Sequence, residues 1–260
     1  MEDLFSLKGR VALITGGSRG IGKMIAEGYL RHGAKVYISA RKGKALEETA
    51  AELSKLGPCT ALTVNASGAD GAKAMAEAFL AHEKALDILV NNAGAAWGAE
   101  FDEFPEDGWD KVVDLNMKTP FFLTQALHAA LKAGAGRGHL AKVINIASVD
   151  GISVNPQETY SYAASKAGLI HLTKRMALRL IDDGIVVSAI APGAFASDMN
   201  RNARDHGEAI AKFIPSRRIG TVEDMAGAAI FLAARAGDYV VGSTIIVDGG
   251  VTYSRVGGPS

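Results

Sequence analysis

The chain has 260 residues, 48% of them hydrophobic, and balances 28 Lys and Arg against 28 Asp and Glu. That balance gives no basic footprint for nucleic acid, and no apolar run reaches the ~18 residues that a membrane span requires. A single cysteine, Cys59, excludes an internal disulfide framework and fits a reducing compartment; with no secretory pattern in the opening Met-Glu-Asp-Leu-Phe, a cytoplasmic protein is expected.

A short apolar run over residues 10–15 leads into Gly16-Gly-Ser-Arg-Gly-Ile-Gly22, a helical pattern over 21–32 and a second strand over 35–39. This is the start of a βαβ unit. A charged helix over 42–55 follows, then a strand over 60–64, an alanine-rich helix over 69–84 and a strand over 87–90. One long helix is predicted from 107 to 133, a strand over 142–147, and a second long helix from 158 to 181. Gly184 then suits the left-handed position after a helix end. A strand over 185–190, an irregular segment, a helix over 222–234 and a strand over 244–247 complete the series. Several strands are continuously apolar, as strands buried on both faces of a parallel sheet are. No linker, repeat or low-complexity run interrupts the alternation. The expected fold is α/β, a single doubly wound Rossmann-type domain over 1–260 with about seven mainly parallel strands flanked by helices. Ligands in such a fold bind beyond the carboxyl ends of the strands.

Gly16, Gly20 and Gly22 fall between the first strand and first helix, where a missing Cβ allows close backbone approach. The helix start offers free N–H groups and partial positive charge to a diphosphate, and Ser18 and Arg19 can add donors. The second strand ends Ser39-Ala-Arg41-Lys42, with no acid to hold ribose hydroxyls and two cations instead. Guanidinium suits phosphate, so Arg41 favours NADPH over NADH.

Residues 158–166 read Glu-Thr-Tyr-Ser-Tyr-Ala-Ala-Ser-Lys. On a helix Tyr162 and Lys166 lie on one side, a turn apart. A phenol with a reference pKa near ~10 is a poor proton donor and acceptor at neutral pH, and a nearby ammonium is expected to lower that value. Tyr160 has Ala164 four residues on, so it is expected in packing or on the substrate side.

Asn91-Asn-Ala-Gly94 follows the fourth strand, Asn116 lies in Asp-Leu-Asn-Met-Lys, Ser148 ends Asn-Ile-Ala-Ser, and Pro192-Gly193 ends the sixth strand. With Thr15-Gly16-x-x-x-Gly20-Ile21-Gly22 and the Tyr162–Lys166 pair, this ordered set resembles the short-chain dehydrogenase/reductase family over almost the whole chain. Within it the chain is most similar to 3-oxoacyl-[acyl-carrier-protein] reductases, and segments 11–22 and 217–220 suggest the branch associated with rhamnolipid synthesis. The resemblance implies NADPH-dependent reduction of a ketone, most naturally a 3-oxoacyl-[acyl-carrier-protein], to a secondary alcohol. Another carbonyl or alcohol of a sugar acid, steroid or diketone is the alternative, and a non-catalytic nicotinamide-binding regulator a further one.

The resemblance implies Tyr162 as general acid or base, Lys166 lowering its pKa and holding the nicotinamide ribose, and Ser148 bonding the carbonyl oxygen. It implies Asn116 anchoring a water on the proton path, Asn92 near the adenosine ribose, and Ser197 at the carboxamide. Ala93, Gly94, Asn65, Ala66, Pro192, Gly193 and Phe195 complete the implied cofactor contacts. Two features depart from the pattern: Asn65-Ala66 stands where many relatives carry Asp, and Ser148 precedes Tyr162 by fourteen residues where thirteen is common. Ser148 as a helix cap and Asn116 as a helix kink are the structural alternatives. Family members are commonly homotetramers.

Six scattered histidines have no ligand spacing, so no metal is expected. Trp109 is expected in packing, and Trp97 either in packing or on a substrate pocket. Residues 194–215, with Asp198, Arg201 and Arg204 and followed by Arg217 and Arg218, are expected to form a lid over the substrate. Its arginines are candidates to meet an acidic acyl carrier protein, or are simply solvated.

Overall fold

The alternation of buried apolar runs and glycine turns folds into one parallel sheet with helices on both faces. The computed structural model describes residues 3–197 and 200–254, apart from the side chains of 201 and 202. Both ends of the expected domain and Asp198 of the expected lid lie outside these. The elements run β1 (Val11–Thr15), α1 (Gly20–Arg31), β2 (Lys35–Ala40), α2 (Gly43–Leu53), β3 (Cys59–Thr63), α3 (Gly68–Leu80) and β4 (Ile88–Asn91). Then come α4 (Glu106–Val113), α5 (Thr119–Ala126), α6 (His128–Ala135), β5 (Ala141–Ile146), α7 (Tyr160–Leu180) and β6 (Ile185–Pro192). Last are α8 (Arg201–Asp205), α9 (Gly207–Ala211), α10 (Val222–Ala233) and β7 (Thr244–Val247).

The sheet order is β3-β2-β1-β4-β5-β6-β7, and every pairing is parallel, more uniform than the mainly parallel sheet expected. β1 sits at the reversal of strand order, with Ile14 beside Ile38 of β2 and Val90 of β4. Alternate β1 side chains serve opposite faces. Ala12 and Ile14 join Ile25, Tyr29 and Met225 under α1 and α10, while Val11 and Leu13 join Phe79, Leu123 and Met176 on the other face. Chain reversal at this point opens the crevice in which such sheets hold ligands.

The expected single helix over 107–133 is instead three. A π turn over Asp114–Lys118 separates α4 from α5, with both the N–H and the Oγ1 of Thr119 directed at the Asp114 carbonyl. Pro120, four residues after Asn116, has no N–H to give that residue's carbonyl, so the α-helical ladder cannot run through. The irregular 194–215 segment also contains the short helices α8 and α9. At the opposite end of the sheet, buried Asp87 accepts from Val11 N at 2.7 Å and lies 2.6 Å from His139 Nε2, which gives that histidine a structural place.

Candidate active site

The first βα turn is compressed to the point where only glycine fits. Gly16 and Gly20 have φ of 69° and 54°, in the left-handed region. A Cβ on Gly22 would meet the Gly16 carbonyl oxygen and come within 2.5 Å of Asn92 Nδ2. No side chain caps α1, so its leading N–H groups are open to an anion. A cradle that a Cβ would fill, ending in an uncapped helix, fits a dinucleotide diphosphate. Ser18 sits behind it, its carbonyl accepting from Thr49 Oγ1 at 2.9 Å, and half-buried Ile21 packs on the core.

Asn92 lies against the glycine turn: its Nδ2 donates to the Thr15 and Gly16 carbonyls at 2.8 and 3.1 Å, so its amide braces the turn. Thr15, quoted within the glycine motif but given no role there, is the other half of this brace: its Oγ1 accepts from Asn92 N and Ala93 N, each at 3.0 Å. Gly94 continues the chain from this junction.

Arg41 emerges exposed just beyond β2, and among the described residues no hydrogen bond or ion pair holds its guanidinium. Asn65 is exposed beyond β3, while buried Ala66 accepts from Thr119 Oγ1 at 2.9 Å. Pro192 is the last residue of β6, and Gly193 continues it by donating to the Val247 carbonyl at 3.0 Å. Phe195 turns its ring into the core against Gly220 and is 2% exposed, which leaves only its backbone to face a cofactor. Ser197 Cβ lies 3.1 Å from where a Gly20 Cβ would stand, so this segment closes on the glycine turn itself. Arg19 completes that turn as the residue before α1.

Two strands along the sheet, Ser148 leaves β5 and Tyr162 and Lys166 rise from the first turns of α7. Ser148 caps the turn after β5, its Oγ accepting from Asp150 N at 3.1 Å, and its hydroxyl is near enough to the Tyr162 phenol to lower that phenol's pKa. Gly151 permits this approach, since a Cβ there would lie 2.7 Å from the Lys166 backbone. Lys166 Nζ donates to the Ile146 carbonyl at 2.7 Å and lies 5.6 Å from the centre of the Tyr162 ring.

The electrostatics reverse the expected direction. Burial pushes Tyr162 up to about 12, against the neighbouring Ser148 hydroxyl that lowers it and with the Asp150 charge that raises it. Burial likewise brings Lys166 down to about 8. Desolvation disfavours the charged form of each group, and the ammonium directs its bond at a backbone carbonyl, not at the phenol oxygen. A lysine-depressed tyrosine is therefore not what the protein's own residues set up.

Asn116 is buried in the π turn that kinks this helical stretch. Its Oδ1 accepts from Ala95 N at 2.8 Å, and its Nδ2 donates to Ala95 O at 2.9 Å and Ser165 Oγ at 3.1 Å. Ser165 Oγ in turn donates to the Tyr162 carbonyl at 2.8 Å. The side chain thus ties the loop after β4 to α7. Trp97 packs against Gly108 and lies under Lys111, 5.0 Å from its Nζ. Arg204 pairs with Asp205, Arg218 with Asp224, and Arg217 donates to the Lys212 carbonyl at 2.6 Å. Among the described residues no three His, Cys, Asp or Glu side chains gather as metal ligands would.

A glycine cradle at the strand-order reversal, two strands from a half-buried phenol and a buried hydroxyl, defines the class: a Rossmann-type oxidoreductase. The family model described as Enoyl-(Acyl carrier protein) reductase matches residues 16–252, and the chain belongs to the short-chain dehydrogenase/reductase family. It is 45% identical over 253 residues to the rhamnolipids biosynthesis 3-oxoacyl-[acyl-carrier-protein] reductase of Pseudomonas aeruginosa, covering 96% of this chain and 99% of the relative. The solved Pseudomonas aeruginosa RhlG/NADP active-site complex superposes with a TM-score of 0.93 at 45% identity, over 97% of this chain and all of that one. The gluconate 5-dehydrogenase of Gluconobacter oxydans is 36% identical over 260 residues, 97% of this chain and 98% of its own. No helix among the described residues is long and apolar enough to cross a membrane.

Proposed function

We propose that the protein reduces a 3-oxoacyl thioester, carried on acyl carrier protein, to the 3-hydroxyacyl product with NADPH. The observation that carries the reaction class is the Tyr162 phenol, half-buried on α7 beside the Ser148 hydroxyl and one turn from buried Lys166. The substrate class is supported by the 45% identity to a reductase of that description. Exposed Arg41 beyond β2 supports the phosphorylated cofactor, as does the NADP in the similar solved complex.

When bound, NADPH supplies the hydride to the carbonyl carbon. Gly16, Gly20 and Gly22 would admit its diphosphate, Arg41 its 2′-phosphate, and Lys166 its ribose. Ser148 Oγ–H donates to the carbonyl oxygen, where negative charge develops. Tyr162, held neutral by burial, gives that oxygen its proton. Lys166, brought near neutral pH by the same burial, is then positioned to reprotonate the site. Residues 194–215 act as the lid, with Ser197 already against the glycine turn and Phe213 of the same stretch 79% exposed. An acidic carrier would compete with Asp205 and Asp224 for Arg204 and Arg218. The small exposed residues Ala164 and Ala167 on α7 support close packing of subunits in a homotetramer, and the single Cys59 supports a cytoplasmic location.

NADPH oxidation measured with a 3-oxoacyl thioester, with gluconate-type sugar acids and with small ketones tests the assignment. Turnover of the thioester, abolished in Tyr162→Phe by about 10²-fold or more, is expected. Inert thioesters beside a well-used small ketone would remove the acyl substrate, and full activity in Tyr162→Phe would remove the mechanism.

A further inference from the structure

A second set of buried polar side chains lies deeper than the reacting groups, between β4, β5 and α7. Asn91 and Asn145 are register partners on neighbouring strands, 3% and 0% exposed, and Thr173 on α7 is fully buried. Thr173 Oγ1 donates to the Leu169 carbonyl at 2.8 Å, which commits its one proton and leaves it an acceptor for Asn145 Nδ2 at 2.9 Å. Asn145 Oδ1 then accepts from Asn91 Nδ2, also at 2.9 Å. Donation along the three side chains runs one way, set from the helix.

Their place along the two elements decides what they do. α7 connects the parallel neighbours β5 and β6, so it runs back along the sheet. Ser148 lies three residues beyond Asn145, about 10 Å along a strand, and Lys166 seven residues before Thr173, about 10.5 Å along a helix. The two steps match, so the Asn145–Thr173 bond sets the level at which Lys166 and Tyr162 stand against Ser148. Among the described residues the other side-chain hydrogen bond between β5 and α7 is that of Lys166 Nζ to the Ile146 carbonyl. A flexible lysine stem lets the helix slide; a short amide on a short hydroxyl does not. Replacing both members of such a pair by apolar side chains of the same shape is close to neutral in stability, and Asn91 Oδ1 is buried with no partner among the described residues. Stability does not account for these amides; a fixed register does.

We propose that Thr173 is a positioning residue for the reaction: through Asn145, whose amide Asn91 orients, it fixes the level of α7 on β5 and so holds Tyr162 and Lys166 in reach of Ser148. This rests on the reading of those three residues as the reaction centre. Thr173, two turns down the helix from Lys166, acts only through that register.

The test is kcat and KM of the full chain on the best substrate among thioesters, sugar acids and small ketones, beside thermal melts and NADPH binding followed by fluorescence. Thr173→Val keeps the shape and removes the acceptor. It should lower kcat roughly tenfold, a fraction of the loss that a misplacement of about 1 Å brings. The Kd for NADPH should stay unchanged, because the glycine cradle stands on β1 and α1. Thr173→Ser keeps the hydroxyl and should restore kcat. Ser188→Ala removes a buried hydroxyl that β6 gives to the Val240 carbonyl, and should lower the melting temperature without lowering kcat. Should Thr173→Val not fold, Thr173→Ser against Thr173→Ala isolates the hydroxyl, since both lack the methyl. Unchanged kcat in Thr173→Val, an equally deep loss in Thr173→Ser, or an equal fall in Ser188→Ala overturns the register role while Tyr162→Phe remains inactive. Full activity in Tyr162→Phe, or no turnover of any substrate, removes the reaction centre and the register role with it.

Discussion

Lys166 Nζ lies 5.6 Å from the centre of the Tyr162 ring, yet gives its 2.7 Å hydrogen bond to the Ile146 carbonyl. Lys166 is buried and Tyr162 half-buried on one side of α7, and neither is held in its charged form by the other. Burial governs both, which sets the pH behaviour of the site.

Because burial raises Tyr162 to about 12, its phenol stays protonated through the neutral range. Reduction needs the acid form and should be level up to about pH 8, then decline as Lys166 loses its charge. Alcohol oxidation needs the phenolate, whose fraction grows about tenfold per pH unit below the pKa. Initial rates in both directions across this range check the pair of profiles; a flat oxidation limb would show that Tyr162 is not the base.

Lys166 also bears on stability. Its folded pKa is lowered from 10.5 to about 8, so the unfolded chain binds the proton more tightly. The folded state is thus penalised below about pH 8, and stability recovers as pH rises from there toward 10.5. Lys166→Met should raise stability at neutral pH by on the order of 2 kcal/mol while abolishing turnover. Denaturant melts at neutral pH and near pH 10 check this, the gain shrinking at the higher pH.

Two glycine substitutions should act in opposite directions. Gly22→Ala drives a Cβ into the Gly16 carbonyl and the Asn92 amide, and should cost about 1–3 kcal/mol together with NADPH binding. Gly227→Ala, exposed in α10 with nothing within 4 Å of the new Cβ, should stabilise by about 0.5–1 kcal/mol. Thermal melts of both variants, with NADPH titrations, make the comparison.

Arg41→Ala should raise the KM for NADPH by about tenfold or more, the scale of one charge-assisted phosphate contact, and leave NADH kinetics unchanged. Equal losses with both cofactors would place Arg41 in the fold and not in phosphate recognition.

The fold and the cofactor cradle were legible because their signals are local. Apolar strands, helices and glycine turns follow one another in register with the βα alternation, and the glycines are demanded within a few residues of one another. The helix over 107–133 was misread for the same reason: its apolar periodicity persists through residues 114–118, while the interruption depends on Pro120 and on Thr119 binding back to Asp114. The brace that Asn92 gives the glycine turn was not legible, because nothing local shows that its amide reaches the carbonyl at the end of β1.

The amino-acid sequence by itself determined the family, the sheet and the placing of Ser148 at a strand end with Tyr162 and Lys166 on one helix, since spacing along a strand or helix fixes which side chains share an edge or a face. The tertiary structure alone decided their protonation, because desolvation is the sum of everything packed around them. It also decided that Tyr160 meets Phe101 and Phe104, which lie far from it in the chain, since periodicity shows a face but not the face it meets.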